Sequence, residues 1–153
     1  MRDTAGMNLR RLSPRDWATW RDIRLGALAG EPRAPGSALL RERGYDEARW
    51  RRLMHPRWGV KVVAEAPEPV GMVAATPQEG HVGGLYLYSM WVAPLFRGRG
   101  VGAALAAEVL AWAREHGWRH VQLRVLPGNV AARRLYERLG FTGEGEVMRL
   151  AVS

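Results

Sequence analysis

Apolar and polar positions along this chain change period several times, and the changes mark its elements. Met7 to Leu12 alternates and is predicted as a first strand. Ser13-Pro14-Arg15-Asp16 then reads as a helix start: Ser13 caps, Pro14 takes the first position and Asp16 faces the positive end. That helix runs to about Leu28, with Trp17, Trp20, Ile23, Ala27 and Leu28 as its inner stripe. Gly30 to Gly36 holds two prolines and reads as a loop. A second helical region covers Ser37 to Met54, broken near Gly44 and restarted by Asp46.

Val60 to Ala66 and Val70 to Ala75 read as strands joined by the turn Pro67-Glu68-Pro69. Thr76 to Gly84 is a polar loop, and Leu85 to Val92 an apolar strand. A helix follows from about Gly100 to His116, with Leu105, Val109 and Trp112 facing the core. Arg119 to Leu126 alternates as a strand, and Asn129 to Leu139 is a helix. Phe141 to Ala151 supplies one or two closing strands, interrupted by Gly143 and Gly145. The order β-α-α-β-β-β-α-β-α-β describes an α/β domain with a mixed sheet.

The bulk properties narrow the function classes. The chain has 153 residues, 47% of them hydrophobic and 25% charged, which fits one domain with a real core. It holds no internal repeat and no linker, so residues 1–153 are expected to form a single domain with a loose tail over 1–6. No apolar run reaches the roughly 20 residues a membrane span needs. Met1 to Arg11 lacks the apolar segment of a secretory signal, so a cytoplasmic protein is expected. There is no cysteine, hence no thiolate nucleophile or thiolate metal site, and His55, His81, His116 and His120 show no ligand spacing. No metal is expected. The formal charge is +8, but the arginines are spread through every element instead of forming one basic face interleaved with aromatics. That spread disfavours nucleic acid as the partner, while some of the charge would help hold a polyanionic ligand.

The segment Arg97-Gly98-Arg99-Gly100-Val101-Gly102 carries the chemistry. A strand running into a glycine-rich turn and then a helix gathers unpaired backbone N–H groups where the helix dipole is positive. Phosphate is the natural occupant of such a site. Glycines let the backbone approach it closely, and Arg97 and Arg99 add charged donors. The spacing is neither the G-x-G-x-x-G of dinucleotide folds nor a P-loop, since Gly98, Gly100 and Gly102 alternate and the one lysine, Lys61, is far away.

Downstream stand the strand Val121 to Val125, then Asn129, Ala132, Leu135, Tyr136 and Leu139-Gly140-Phe141. Together with Val92-Ala93-Pro94 and the R-x-x-G-x-G loop, this arrangement resembles the GNAT acyltransferase superfamily, the acetyl-CoA-dependent N-acetyltransferases. The resemblance implies a mostly antiparallel sheet flanked by about four helices and splayed between its fourth and fifth strands, Leu85–Val92 and Arg119–Leu126. The gap would receive the pantetheine arm of acetyl-CoA, with a bulge near Met90-Trp91 turning backbone groups toward it. It further implies that Met90, Trp91, Val92, the segment Arg97 to Gly102, Asn129 and Arg133 contact the cosubstrate. Asn129 can also cap the helix it precedes.

An amine would attack the thioester directly, with Tyr136 as general acid. A phenol is protonated below about pH 10 and can donate to a departing thiolate; the other reading of Tyr136 is aromatic packing. The fourth strand has no carboxylate to serve as base, although Tyr86, Tyr88 and Ser89 could orient water, with Glu31, Glu65 and His81 in reserve. By resemblance the acceptor pocket is lined by the first helices and their loop, Arg24-Leu25 through Ser37, with Glu31, Ser37 and Tyr88 as its candidate residues. Only twelve residues follow Phe141, so the acceptor wall there is short and a homodimer could complete it. A catalytically silent acyl-CoA-binding module is the alternative, distinguished by whether Tyr136 matters.

Overall fold

The computed structural model describes residues 6–30 and 36–153. Six strands form one sheet in sequence order: β1 (Asn8–Arg11), β2 (Val60–Glu65), β3 (Pro69–Pro77), β4 (Gly84–Val92), β5 (His120–Arg124) and β6 (Val147–Ala151). All neighbours pair antiparallel except β4 and β5. Five helices cover the two faces: α1 (Trp17–Gly30), α2 (Gly36–Arg43), α3 (Glu47–Leu53), α4 (Val101–Glu115) and α5 (Val130–Arg138).

The central strands are buried on both faces, and alternation sorts their side chains into two cores. Val60, Val62, Val73, Ala75, Leu85 and Leu87 pack with Leu105, Ala106 and Val109 of α4 and Tyr136 of α5. Val63, Met72 and Ala74 pack on the other face with Trp20, Ile23 and Ala27 of α1 and Trp50 of α3. The stripe read for the first helix is therefore the face that it buries, with Trp17 and Leu28 at its half-buried margins. Asp46 accepts a hydrogen bond from the backbone N–H of Arg49 and starts α3, as its position after the Gly44 break suggested.

Three boundaries differ from the sequence reading. β3 continues through Thr76 and Pro77, which pair with Tyr86 and Leu85. Their polarity had made them look like loop, yet ladder pairing with β4 overrides that local signal. The closing region forms one strand, β6, plus a single bridge from Thr142 to Arg149. Gly143 explains the gap: its φ is +153°, and a Cβ there would sit 2.1 Å from the carbonyl oxygen of Val147. The helix start read at Ser13-Pro14 is a 3-10 turn, Pro14–Asp16, leading into α1, while the 3-10 turns at Pro56–Trp58 and Pro94–Phe96, each opened by a proline, were not read from the sequence.

β4 and β5 pair only over Gly84–Tyr86 against His120–Gln122 and then separate. The expected splay is present, and it leaves the second half of β4 with a free edge. Opposite β3, that half carries a bulge: Met72 faces Trp91 and Ala74 faces Tyr88, so Ser89 and Met90 together oppose a single residue. The bulge lies one position before the expected Met90-Trp91. Ser89 holds φ at +58°, a left-handed conformation that costs a non-glycine residue roughly 1–2 kcal/mol.

Candidate active site

Three adjoining hollows run along the free edge of β4. The largest, about 760 Å³, lies between the end of β4 and the first turns of α4 and α5. Met90, Trp91, Val92, Arg97, Gly98, Gly100, Gly102 and Asn129 line it, together with Leu135 and Arg138. The second, about 320 Å³, fills the gap between β4 and β5 and is lined by Tyr86 to Met90, Leu123 to Leu126 and Tyr136. It shares Met90, Asn129 and Ala132 with the first. The third, about 170 Å³, lies on the other side of the bulge between α1, α2 and α3, and shares Tyr88 and Ser89 with the second.

The glycine loop has the form a phosphate cradle requires. Gly98 and Gly100 adopt φ of +78° and +84°, which bends the chain back into α4 with Gly100 as its N-cap. A Cβ on Gly98 would meet nothing within 4 Å, so this backbone is open to a ligand. Gly102 serves a different need: a Cβ there would come 3.1 Å from Leu135 Cδ1, and its absence lets α5 pack close to α4. Arg97 lines the cavity and folds back to donate from Nε to the carbonyl oxygen of Val92 at 2.8 Å. Asn129 caps α5 by accepting from the N–H of Ala132 at 3.2 Å, a bond that leaves its amide nitrogen uncommitted.

Not every sequence candidate is brought to this cavity. Val101 is buried in the core beneath α4. Arg99 is not among the lining residues, and its guanidinium rests 5.4 Å from the centre of the Phe96 ring. Arg133 turns the other way, donating to the carbonyl oxygens of Gly143 and Gly145 and lying 3.5 Å from Glu137, where it fastens the segment before β6. Arg138, one and a half turns further along α5, faces the cavity instead. Helical periodicity separates these two arginines, but only the position of β6 decides which one is engaged elsewhere. Glu31 lies outside the described residues, as does the side chain of Ser37. Of the reserve bases, Glu65 is held by both nitrogens of an Arg10 fork at 3.0 Å, and His81 sits in the exposed turn before β4.

Tyr136 occupies the middle hollow. It is 5% exposed and packs edge-on against Phe141 at 5.6 Å, so the packing and the site position coexist. Burial pushes its hydroxyl up to about 12, so the proton is firmly held at neutral pH. Tyr88, shared by the second and third hollows, is likewise raised by burial, with Arg24 opposing.

The third hollow joins the expected Arg24, Tyr88 and Ser89 to Glu42 and Lys61, which no local motif announced. Arg24 donates from Nε and Nη2 to the two carboxylate oxygens of Glu42, at 3.0 and 3.1 Å, and from Nη1 to Ser89 Oγ at 2.9 Å. One guanidinium thus ties α1 to α2 and to the bulge of β4, and the Ser89 contact helps hold that strained residue. Lys61 is 7% exposed and donates to the carbonyl oxygen of Leu53 at 2.8 Å, beside the Trp20 ring. Desolvation lowers it to about 8. A lysine at the second position of the mostly apolar strand β2, and a glutamate four residues after Ala38 on the inner side of α2, were the available signals. Among the described residues no cluster could hold a metal ion.

The family model described as the acetyltransferase (GNAT) family matches residues 17–141. The mycothiol acetyltransferase of Thermobispora bispora is 33% identical over 144 residues, which cover 90% of this chain and 47% of that protein. The chain spans about half the length of the curated relatives it matches. Among solved structures, a GNAT-family acetyltransferase from Streptococcus pneumoniae aligns with a TM-score of 0.80 at 19% identity, over 96% of this chain and 99% of that one. A putative acetyltransferase from Salmonella typhimurium, solved with its cofactor acetyl-CoA, aligns with a TM-score of 0.72 at 21% identity, over 97% and 95%.

Proposed function

The chain belongs to the acetyltransferase (GNAT) family, and we propose that it transfers the acetyl group of acetyl-CoA to a primary amine by direct attack. The observation that carries this reading is the line of three hollows along β4, with a glycine phosphate cradle at one end, Tyr136 in the middle and a polar pocket at the other.

The residues present fit acetyl-CoA. The turn at Gly98 and Gly100 offers open backbone N–H groups at the start of α4, and Arg97 and Arg138 supply positive charge beside it. The unpaired edge of β4 beyond Tyr86 offers backbone groups to an extended amide-bearing arm. When bound, the thioester supplies the activated acetyl group. This chain's residues hold and orient the reactants, which alone can lower the barrier by several kcal/mol. As the N–C bond forms and the C–S bond breaks, Tyr136 gives its proton to the departing sulfur, and the amine gives one to water, from which Tyr136 is reprotonated. Tyr88 and Ser89, at the junction of the second and third hollows, border the path by which the amine arrives.

Calorimetric titration with acetyl-CoA, paired with a Tyr136→Phe variant in an amine-acceptor assay, tests this reading. Micromolar binding and a fall of about a hundredfold in kcat for the variant are expected. Binding with no effect of Tyr136→Phe would leave an acyl-CoA-binding module. Folded protein that binds no acetyl-CoA would sink the cosubstrate assignment.

A further inference from the structure

Lys61 is a buried cation with no counter-ion among the described residues. Its ammonium carries three protons, and its protein partners are one carbonyl oxygen at 2.8 Å and the face of Trp20, 5.5 Å from the ring centre. A buried charge is ordinarily paired. The carboxylate that shares its hollow, Glu42, is taken by both arms of the Arg24 fork, and no carboxylate among the described residues lies within 4.0 Å of the ammonium. The other polar groups in the hollow are the phenols of Tyr45 and Tyr88, and Arg24, a like charge. Lys61 also borders a separate hollow of about 500 Å³ on its far side, where the titratable lining is Arg11, His55, Arg57 and His116, again without a carboxylate. The indole N–H of Trp50, which also lines the hollow, has no partner among the described residues.

The third hollow therefore holds an ammonium, Lys61, and a carboxylate, Glu42, on one lining, with Ser89 of the β4 bulge on the same Arg24 guanidinium that holds Glu42. Lys61, Ala74 and Tyr88 form one row across β2, β3 and β4, so the ammonium's strand and the bulged strand stand roughly 10 Å apart. A small molecule with both a cationic and an anionic end fits that lining and a volume of about 170 Å³.

We infer that the acetyl acceptor is a small amino acid, whose carboxylate is received by Lys61 and whose ammonium is received beside Glu42 and Ser89 before it loses its proton and attacks. The inference rests on the acetyltransferase reading for the direction of transfer, but not for the binding of the acid. It gives Lys61 its missing counter-ion. A bound carboxylate would favour the charged form that burial disfavours in this lysine.

Lys61 is the single lysine of the chain, so lysine labelled with carbon-13 at Cε gives one side-chain signal. That signal would be followed in the full chain with CoA present, while glycine, β-alanine or γ-aminobutyrate is added, beside the corresponding amides and propionate. At least one of the three amino acids is expected to move the Lys61 signal and raise its titration midpoint. Its amide should leave both unchanged, and propionate should act more weakly because it lacks the ammonium that Glu42 receives. In the acceptor assay, kcat/KM for that amino acid should exceed the value for its amide by about tenfold or more. Lys61→Met should erase the difference, Lys61→Arg should keep part of it, and neither should change acetyl-CoA affinity. If none of the three moves Lys61, or if an amide moves it equally, the inference is overturned. Loss of acetyl-CoA binding in the wild type would count against the transferase reading alone, because the lysine signal reports the acid directly.

Discussion

The two ends of the site are made in different ways. The α4–α5 end is built from backbone: two glycines at positive φ, a helix start and one capping asparagine, all within contiguous segments. The α1–α3 end is built from side chains drawn from positions 24, 42, 61 and 89, which meet only because four separate elements pack together. A phosphate-bearing group can be held by peptide N–H groups that any sequence supplies once the turn is right. Discrimination between acceptors needs charges at set distances, and those have to come from side chains. Substitutions at the first end should therefore act through chain geometry, and those at the second through charge.

The sharpest break would come at Gly100. Gly100→Glu forces a side chain into a left-handed N-cap at φ +84° and puts a carboxylate where phosphate oxygens are expected. Acetyl-CoA affinity in a calorimetric titration should fall by about a hundredfold or more, which corresponds to at least roughly 2.7 kcal/mol.

Lys61 sets the second largest effect, and its sign is opposite to that of a stabilising ion pair. Its folded value, about 8, lies below the ordinary 10.5, so the unfolded chain binds more protons between those limits. Stability should rise with pH across that window and be diminished by this group below it. Between pH 8 and pH 10 the gain from this residue is about 2 kcal/mol. The measurement is the difference in urea-unfolding free energy between wild type and Lys61→Met at several pH values, which cancels the tyrosines.

A smaller perturbation separates space from conformation at the glycine loop. A Cβ on Gly98 has room, but φ is +78°, so Gly98→Ala should cost about 1 kcal/mol in thermal or urea unfolding. It should also weaken acetyl-CoA about tenfold by standing off the phosphate. The smallest effect is expected at Arg133, which the sequence pattern had assigned to the cosubstrate. Arg133→Ala should leave acetyl-CoA affinity unchanged and merely loosen the segment 143–145. A large loss of affinity would return Arg133 to the site.

Much of this molecule could be read along the chain, and the parts that could not share a cause. The first-helix stripe, the Asp46 cap and the Arg97–Gly102 turn are local, since each depends on residues within a few positions of one another. The end of β3 at Thr76 and Pro77 was hidden because pairing with β4, not local polarity, decided it. The bulge was expected one residue late because register is set by the partner strand. The choice between Arg133 and Arg138 depended on carbonyl groups before β6.

The sequence by itself determined the element order, the inner stripe of the first helix and the glycine turn that opens α4, because periodicity, capping and glycine conformations are properties of short stretches. Only the tertiary structure decided that Arg24 would bridge Glu42 and Ser89, and that the one lysine would lie buried in the same hollow with no counter-ion among the described residues. Contacts between residues 18 and 65 positions apart are fixed by how helices seat on a sheet, and no local rule carries that information.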